Sequence, residues 1–227
     1  MAELDDANGR LGKPIGSDEI GNWLMSDGNR SLLVRHLHNY FSLDYSGKYF
    51  ESFIQNSSPD QFTPWDILAV ESLSITVPSE KALRLLVNSE HILDLIQQVR
   101  AEMREGRETP WRCRPELLQD GSPLSNLYFH LREKLELGRV TTSKLLAAKF
   151  PQLVPIRDSL VERLLGLEKS TEWWAPISRI FKECPLLESR LDELPLPVGA
   201  PEVTTLRRFD VILWMEAKER GLGSQRS

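Results

Sequence analysis

The chain has 227 residues, with 33 acidic against 28 basic side chains and a formal net charge of −5. A hydrophobic content of 41% suits a soluble globular protein with a sizeable core. The negative charge excludes a protein coated in basic surface. It leaves room for a local nucleic-acid patch, because a phosphate contact depends on the charge close to it.

The N-terminal segment and the cysteines bear on where the protein works. The first residues, "MAELDDANGRLGKPIGSDE", are polar and acidic, unlike a secretory signal. The sequence has no apolar run long enough to span a membrane. Cys113 and Cys184 lie far apart and form no metal-binding pattern, which suits a reduced compartment. We therefore expect a cytoplasmic protein that has no cofactor and no membrane association.

Helical spacing of apolar residues runs through most of the chain, between loose tails expected at 1–18 and 221–227. The clearest start is "TPWDILAVESLSI", where Thr63 is expected to cap, Pro64 to take the first helical position and Asp66 to complete a capping box. Serine caps are expected for three other helices. These caps are Ser31, Ser79 and Ser89.

The second half of the chain continues the helical pattern. Five helices are expected in "LSNLYFHLREKL", "TTSKLLAAKF", "DSLVERLLGL", "STEWWAPISRIFKE" and "PLLESRLDEL", followed by a last helix in "TLRRFDVILWMEAKER". No stretch alternates as a strand would. We predict an all-α protein in which residues 19–220 form one domain, with two helical lobes packed across a groove.

One window of this acidic chain is purely basic. The segment "GRVTTSKLLAAKFPQLVPIRDS" (138–159) contains no acid before Asp158, and its bases are Arg139, Lys144, Lys149 and Arg157. Gly138 separates two helical patterns, which predicts a tight connection between helices. The first turn of a helix presents unpaired N–H groups, and such groups bind phosphate well.

Several side chains near this turn could add to phosphate binding. We predict DNA contacts from Gly138, Arg139, Thr141, Thr142 and Lys144, through backbone N–H groups, hydroxyls and positive charge. The plainer interpretation is that Lys144 and Lys149 form a solvated helix face. Duplex DNA is the expected partner, and the protein is expected to be a monomer.

These segments resemble the helix-hairpin-helix DNA glycosylases. "KLELGRVTTSKLL" is similar to the hairpin of that family, and "VPIRDSLV" is similar to its catalytic aspartate segment. The separation of Gly138 and Asp158, 158 − 138 = 20 residues, matches the usual spacing in the family. The resemblance covers roughly 124–217, with the hairpin at about 131–150 and the catalytic segment at 154–165.

The resemblance implies that Asp158 is the catalytic residue. Breaking an N-glycosidic bond develops positive charge on the sugar, which a carboxylate can stabilise while it orients water. Val140 stands where bifunctional members carry a nucleophilic lysine, so monofunctional chemistry is expected. Lys144 lies one turn further on, but it is not the matched position. Glu136 and Leu135 replace the glycine and the proline that begin the family's hairpin.

The target base must leave the DNA stack and enter a pocket with aromatic walls. Candidates for that pocket are Tyr45, Tyr49, Trp65 and Trp111, which core packing could also explain. The N-terminal half is unlike the standard repair enzymes and suggests an unusual base. Hypermodified cytosine of phage DNA, such as glucosylated hydroxymethylcytosine, is one candidate for this base. An enzyme that excises it would act in antiviral defence.

Two alternatives stay open. Asp158 could serve only as a helix cap, in a non-catalytic module that keeps the hairpin and binds DNA. The chain could also be a helical interaction protein without nucleic-acid function, which its acidic total charge favours. A metal site is not expected, because His36 and His38 are two residues apart and do not share a helix face.

Overall fold

The protein is described by a computed structural model that covers residues 11–103 and 108–223, and within these ranges it contains twelve α-helices and no strand. The helices are α1 Ile20–Met25, α2 Arg30–Ser42, α3 Phe50–Gln55, α4 Pro64–Ser72, α5 Ser79–Leu86, α6 Glu90–Glu102, α7 Pro123–Glu133, α8 Arg139–Lys149, α9 Ser159–Leu165, α10 Trp174–Glu183, α11 Leu187–Asp192 and α12 Thr205–Glu219. Short 3₁₀ turns lie at Asp27–Asn29, Ser46–Tyr49 and Pro115–Leu118. The prediction of an all-α protein is confirmed.

Two helix starts follow the local sequence as expected. Thr63 and Asp66 form the predicted capping box of α4, and the Thr63 N–H donates to Asp66 Oδ2 at 2.7 Å. Asp158 caps α9, because its Oδ1 accepts the Leu160 N–H at 3.0 Å. Both interactions join residues that are two or three positions apart, so a short stretch of sequence is enough to specify them.

The three expected serine caps differ. Helix α2 begins at Arg30, ahead of Ser31, because the 3₁₀ turn Asp27–Asn29 leads directly into it. Ser79 is the first residue of α5, not its cap. Ser89 holds the cap position of α6 without a side-chain hydrogen bond. Cap composition alone therefore misplaces the starts of α2 and α5 by two residues and one residue, and places the start of α6 correctly.

The chain divides into two compact units. Unit 1 contains residues up to 43, 157–200 and 207 onward, while unit 2 contains 44–156 and 201–206. Unit 2 lies within the predicted domain at 19–220, whereas unit 1 also includes described residues on either side of that range. The single domain and its groove remain predictions. No helix in the described parts of the chain has the length and apolar character that crossing a membrane requires.

In unit 1, α1 packs against α10 and α11, and Phe181 of α10 meets Phe209 of α12 with ring centroids 5.2 Å apart. The segment before α1 was expected to be a loose tail, of which residues 1–10 lie outside the described ranges. Its described part is held, since the Gly12 N–H donates to Arg220 O and the Ile15 N–H donates to Leu164 O. The expected C-terminal tail lies mostly outside the described ranges, at 224–227.

Unit 2 is built around α8. Helices α3, α4 and α7 all contact α8, and every α8 residue from Thr142 to Lys149 is buried. A helix surrounded on several sides has no broad solvated face, whatever polar residues it carries. The position of α8 therefore determines which basic side chains of the 138–159 window reach solvent.

Candidate nucleic-acid interface

A tight turn joins α7 to α8 in unit 2, as the sequence predicted. Leu135 and Leu137 are buried, while Glu136 between them is exposed. The Leu137 N–H donates back to Leu131 O at 3.3 Å, and Gly138 takes the cap position of α8. The two leucines anchor the turn in the core of unit 2, and Glu136 and Gly138 stay at the surface.

Glu136 adopts the left-handed backbone conformation, with φ at 52°. This is the position that holds a glycine in the helix-hairpin-helix glycosylases, and glycine enters that conformation without the clash that a Cβ creates. Gly138 has φ at −64°, an ordinary value, and a Cβ there would meet only Thr141 Oγ1 at 3.9 Å. Glu136, and not Gly138, is therefore the residue of this turn that adopts a positive φ.

Three basic side chains hold the carbonyl groups of the turn. Lys81 of α5 donates to Glu136 O, and Arg84 donates to Lys134 O. Arg132 of α7 donates to Leu137 O at 3.0 Å. These bonds place three positive charges at the turn.

The first turn of α8 starts at the surface, and its N–H groups have no carbonyl acceptor earlier in the same helix. Gly138 has no side chain to cap them, and no side-chain cap is formed. Arg139 and Thr141 are partly exposed in the same turn. A helix start with uncapped N–H groups and a nearby guanidinium and hydroxyl is suited to a phosphate oxygen.

The structure corrects two residues of the predicted DNA-binding set. Thr142 is completely buried, and Lys144 is 2% exposed with its Nζ 3.0 Å from Leu73 O. Neither side chain can reach a phosphate or a sugar, because α8 turns both into unit 2. The set that remains accessible is Gly138, Arg139 and Thr141.

Lys149 is also internal, at the centre of a polar network in unit 2. Its Nζ donates to Asp66 Oδ2 at 2.9 Å, to Ser57 Oγ at 3.1 Å, and to the carbonyls of Ser58 and Gln61 at 2.7 Å each. Burial lowers the pKa of Lys149, although the attraction to Asp66 acts in the opposite direction. The ammonium ties the 57–61 loop to α4 and α8.

Arg157 is buried in unit 1. Its Nε donates to Glu162 Oε1 at 2.6 Å, and its guanidinium also bonds Ser170 O at 2.7 Å and lies over Trp173. Of the four bases in the 138–159 window, Arg139 alone keeps a partly exposed side chain. The prediction that this window forms a strongly positive surface is therefore wrong, because three of its four positive charges make internal contacts.

Asp158 lies in unit 1 at the start of α9 and is partly exposed. One carboxylate oxygen accepts the Leu160 N–H, as a capping residue does. The helix N-terminus favours a negative charge at this position. The residue is thus held in one orientation as a carboxylate whose surface is accessible to solvent.

The four candidate pocket aromatics all lie in unit 2. Tyr49 is 52% exposed with Lys48 over its ring, and Trp65 is 42% exposed and stacks on Phe53 at 6.3 Å. Tyr45 and Trp111 are partly buried. A pocket of about 180 Å³ in the same unit includes none of them. It is lined by Ile54, Ser57, Ser58, Pro59, Arg100, Ala148, Lys149 and Pro151.

Changing Glu136 to glycine is expected to raise the free energy of unfolding by about 0.5–1 kcal/mol, measured by urea denaturation. A left-handed residue with a Cβ costs about 1–2 kcal/mol, and the extra freedom of glycine in the unfolded chain offsets part of the gain. Glu136→Gln keeps the Cβ and should leave stability unchanged. A loss of stability in Glu136→Gly would contradict the backbone assignment.

Sequence reasoning missed Lys81 and Arg84 as members of this surface. They belong to α5, which lies 55 and 50 residues before the carbonyls that they bind. Nothing local in "PSEKALRLLV" distinguishes them from an ordinary amphipathic helix. Their position at the turn is a tertiary contact.

A family model matches most of the chain. A family described as "Family of unknown function (DUF6308)" matches residues 33–217. No curated protein and no solved structure matches the chain significantly.

Proposed function

We propose that this chain, which belongs to the DUF6308 family of unknown function, is a monofunctional DNA glycosylase. The hairpin at 131–150 binds the DNA backbone, and Asp158 acts in the hydrolysis of an N-glycosidic bond. The product is an abasic site in the DNA.

The observation that carries the proposal is the conformation of the turn. Glu136 has φ at 52° where the resembling glycosylases have a glycine. A residue with a Cβ pays for that conformation, and strain of this kind persists only where the surrounding structure imposes it. A backbone conformation that glycine adopts freely, at the position where the family has its glycine, supports the proposed hairpin.

Charge and hydrogen bonding at the turn support the same interface. Uncapped N–H groups of α8 lie beside Arg139, and Lys81, Arg84 and Arg132 surround the turn. The exposed carboxylate of Glu136 opposes phosphate binding. Glu136→Gln is therefore expected to tighten DNA binding.

The chemistry assigned to Asp158 follows from its charge. The carboxylate stabilises the positive charge that grows on the deoxyribose as the base leaves, and it orients water for attack on the sugar carbon. A lysine nucleophile is disfavoured, since Val140 holds the matched position and Lys144 is buried against Leu73 O. Water is then the nucleophile, and no Schiff base forms.

The exposed aromatic rings of Tyr49 and Trp65 support a role in stacking an extruded base. We propose an unusual base as the substrate, with glucosylated hydroxymethylcytosine of phage DNA as the first candidate and antiviral defence as the setting. Neither Asp158 nor the basic side chains of Lys81, Arg84 and Arg132 distinguish one nucleobase from another. The assay described below therefore has to identify the substrate.

A second candidate is a DNA-binding module without catalysis. It is favoured by the hydrogen bond between Asp158 Oδ1 and the Leu160 N–H, which accounts for the aspartate as a cap alone. In that case the hairpin would bind duplex DNA and no base would leave.

The test measures base release and DNA affinity on the same protein. Plain duplex, duplexes with damaged bases and phage DNA with modified cytosines are incubated with the protein, and free base is detected by mass spectrometry. Release from one DNA type supports the glycosylase. Salt-sensitive binding without release supports the module, and the absence of both overturns both candidates.

A matched pair of variants locates the DNA contact. Arg139→Gln should weaken duplex binding and reduce the slope of log affinity against log salt by about 1, because one phosphate contact is lost. Lys182→Gln also removes one positive charge, from an exposed position on α10, and should leave the slope unchanged. Equal slopes for the two variants would contradict an interface at the hairpin.

A further inference from the structure

A histidine and two glutamates of unit 1 form a cluster that the proposed function does not use. His36 of α2 lies between Glu216 and Glu219 of α12, with one ligand atom of each residue within 4.8 Å of the others. His36 is completely buried, and its Nε2 is 2.8 Å from Glu216 Oε2. Its other ring nitrogen, Nδ1, is 3.6 Å from Glu219 Oε1.

The Nδ1 atom of His36 is buried and has no hydrogen-bond partner. If Nε2 carries the proton and donates to Glu216, Nδ1 presents a lone pair to a carboxylate oxygen. Two acceptors that face each other repel, and the buried Nδ1 costs free energy as a polar atom without a partner. A positively charged occupant between the two atoms would remove both costs.

We propose that this occupant is a divalent transition-metal ion, with Zn²⁺ as the best match, bound directly by His36 Nδ1 and Glu219 Oε1. Imidazole nitrogen and carboxylate oxygen are ordinary zinc ligands. Zinc–ligand bonds of about 2.0–2.1 Å in a tetrahedral arrangement separate neighbouring ligands by about 3.4 Å. The observed separation of 3.6 Å is close to that value.

Glu216 holds the histidine in the orientation that the ion requires. A histidine that binds a metal through one nitrogen commonly donates its other N–H to a carboxylate, which sets the tautomer and the ring orientation. Glu216 Oε2 is placed to accept that proton, and its Oε1 accepts from Arg220 Nε at 2.8 Å. The carboxylate is therefore fixed on both sides.

The surroundings predict moderate affinity. Arg35 pairs with Glu219 Oε2 at 3.1 Å and Arg220 pairs with Glu216, so the two acids are already balanced by two bases. The ion would add its positive charge to a cluster of side chains whose charges already cancel. Water molecules would occupy its remaining coordination positions. The side chain of Glu219 is 42% exposed, which gives the ion a route to the site.

The test uses the full chain after treatment with EDTA and dialysis, titrated with Zn²⁺ by calorimetry and followed by thermal unfolding. We expect binding by the wild type and an upward shift of Tm, because the ion joins α2 to α12. His36→Gln should abolish the response at this site. Glu219→Gln alters a partly exposed side chain, and it should weaken affinity at least about tenfold without unfolding the protein.

The controls separate this site from other histidines. His38→Gln changes an exposed histidine on the same helix and should bind zinc as the wild type does. His91 and His130 of unit 2 are 4.8 Å apart between ring centroids, so His130→Gln removes that second source of binding. Zinc binding that persists in both His36→Gln and Glu219→Gln would overturn the proposal. An absence of zinc binding in the wild type would also overturn it.

Discussion

Replacement of Asp158 by asparagine is expected to lower the rate of base release by about 10²–10⁴-fold, the usual contribution of a positioned general base or charge-stabilising carboxylate. Asparagine caps helices as well as aspartate does, so the bond to the Leu160 N–H is kept. Stability and DNA affinity should therefore stay close to the wild type. Single-turnover kinetics of base release, with Kd measured in parallel, check the prediction.

Asp158→Ala is the companion variant. It removes the charge and also the cap of α9, and is expected to cost about 1 kcal/mol of stability in addition to the activity. Asparagine and alanine thus separate the two roles of one side chain. Full base release by Asp158→Asn would remove Asp158 from the chemistry, even if the protein is a glycosylase.

Replacement of Lys149 by methionine is expected to reduce the free energy of unfolding by about 3–5 kcal/mol. Methionine fills much of the same volume, but it leaves the completely buried carboxylate of Asp66 without its counter-charge. Breaking one member of a buried ion pair is much more costly than replacing both. Urea denaturation of the wild type and the variant measures the difference.

A double-mutant cycle tests the cause of this loss. Asp66→Asn in the Lys149→Met background removes the stranded charge and should recover part of the stability, which gives a favourable coupling between the two sites. Lys134→Met changes an exposed lysine at the C-terminal end of α7 and should lie within about 0.5 kcal/mol of the wild type. Additive effects of the two core substitutions would contradict a direct ion pair.

Much of the fold could be predicted because its signals are local. The capping box of Thr63 and Asp66 and the cap by Asp158 each depend on residues two or three apart. Helical periodicity located the helices on both sides of the hairpin in the same way. Gly138 between two helical patterns predicted the turn, but not the conformation of Glu136, which became visible only in the backbone.

The candidate site could be predicted only in part. The sequence presented Arg139, Lys144, Lys149 and Arg157 as one basic surface, and the structure places three of them inside. The helical pattern of a sequence does not show whether a lysine ammonium contacts water or a buried acceptor. The acceptors of Lys144 and Lys149 lie 71 and 83 residues earlier in the chain.

The sequence by itself therefore determined the helical class, most helix positions and the turn between α7 and α8, because short-range hydrogen bonds and apolar spacing specify them. The tertiary structure alone decided which charges reach solvent. Helix α8 is enclosed by α3, α4 and α7, which turns its lysines inward. The same long-range packing brings Lys81 and Arg84 to the turn and sets His36 between two glutamates, since burial and partners depend on contacts between distant parts of the chain.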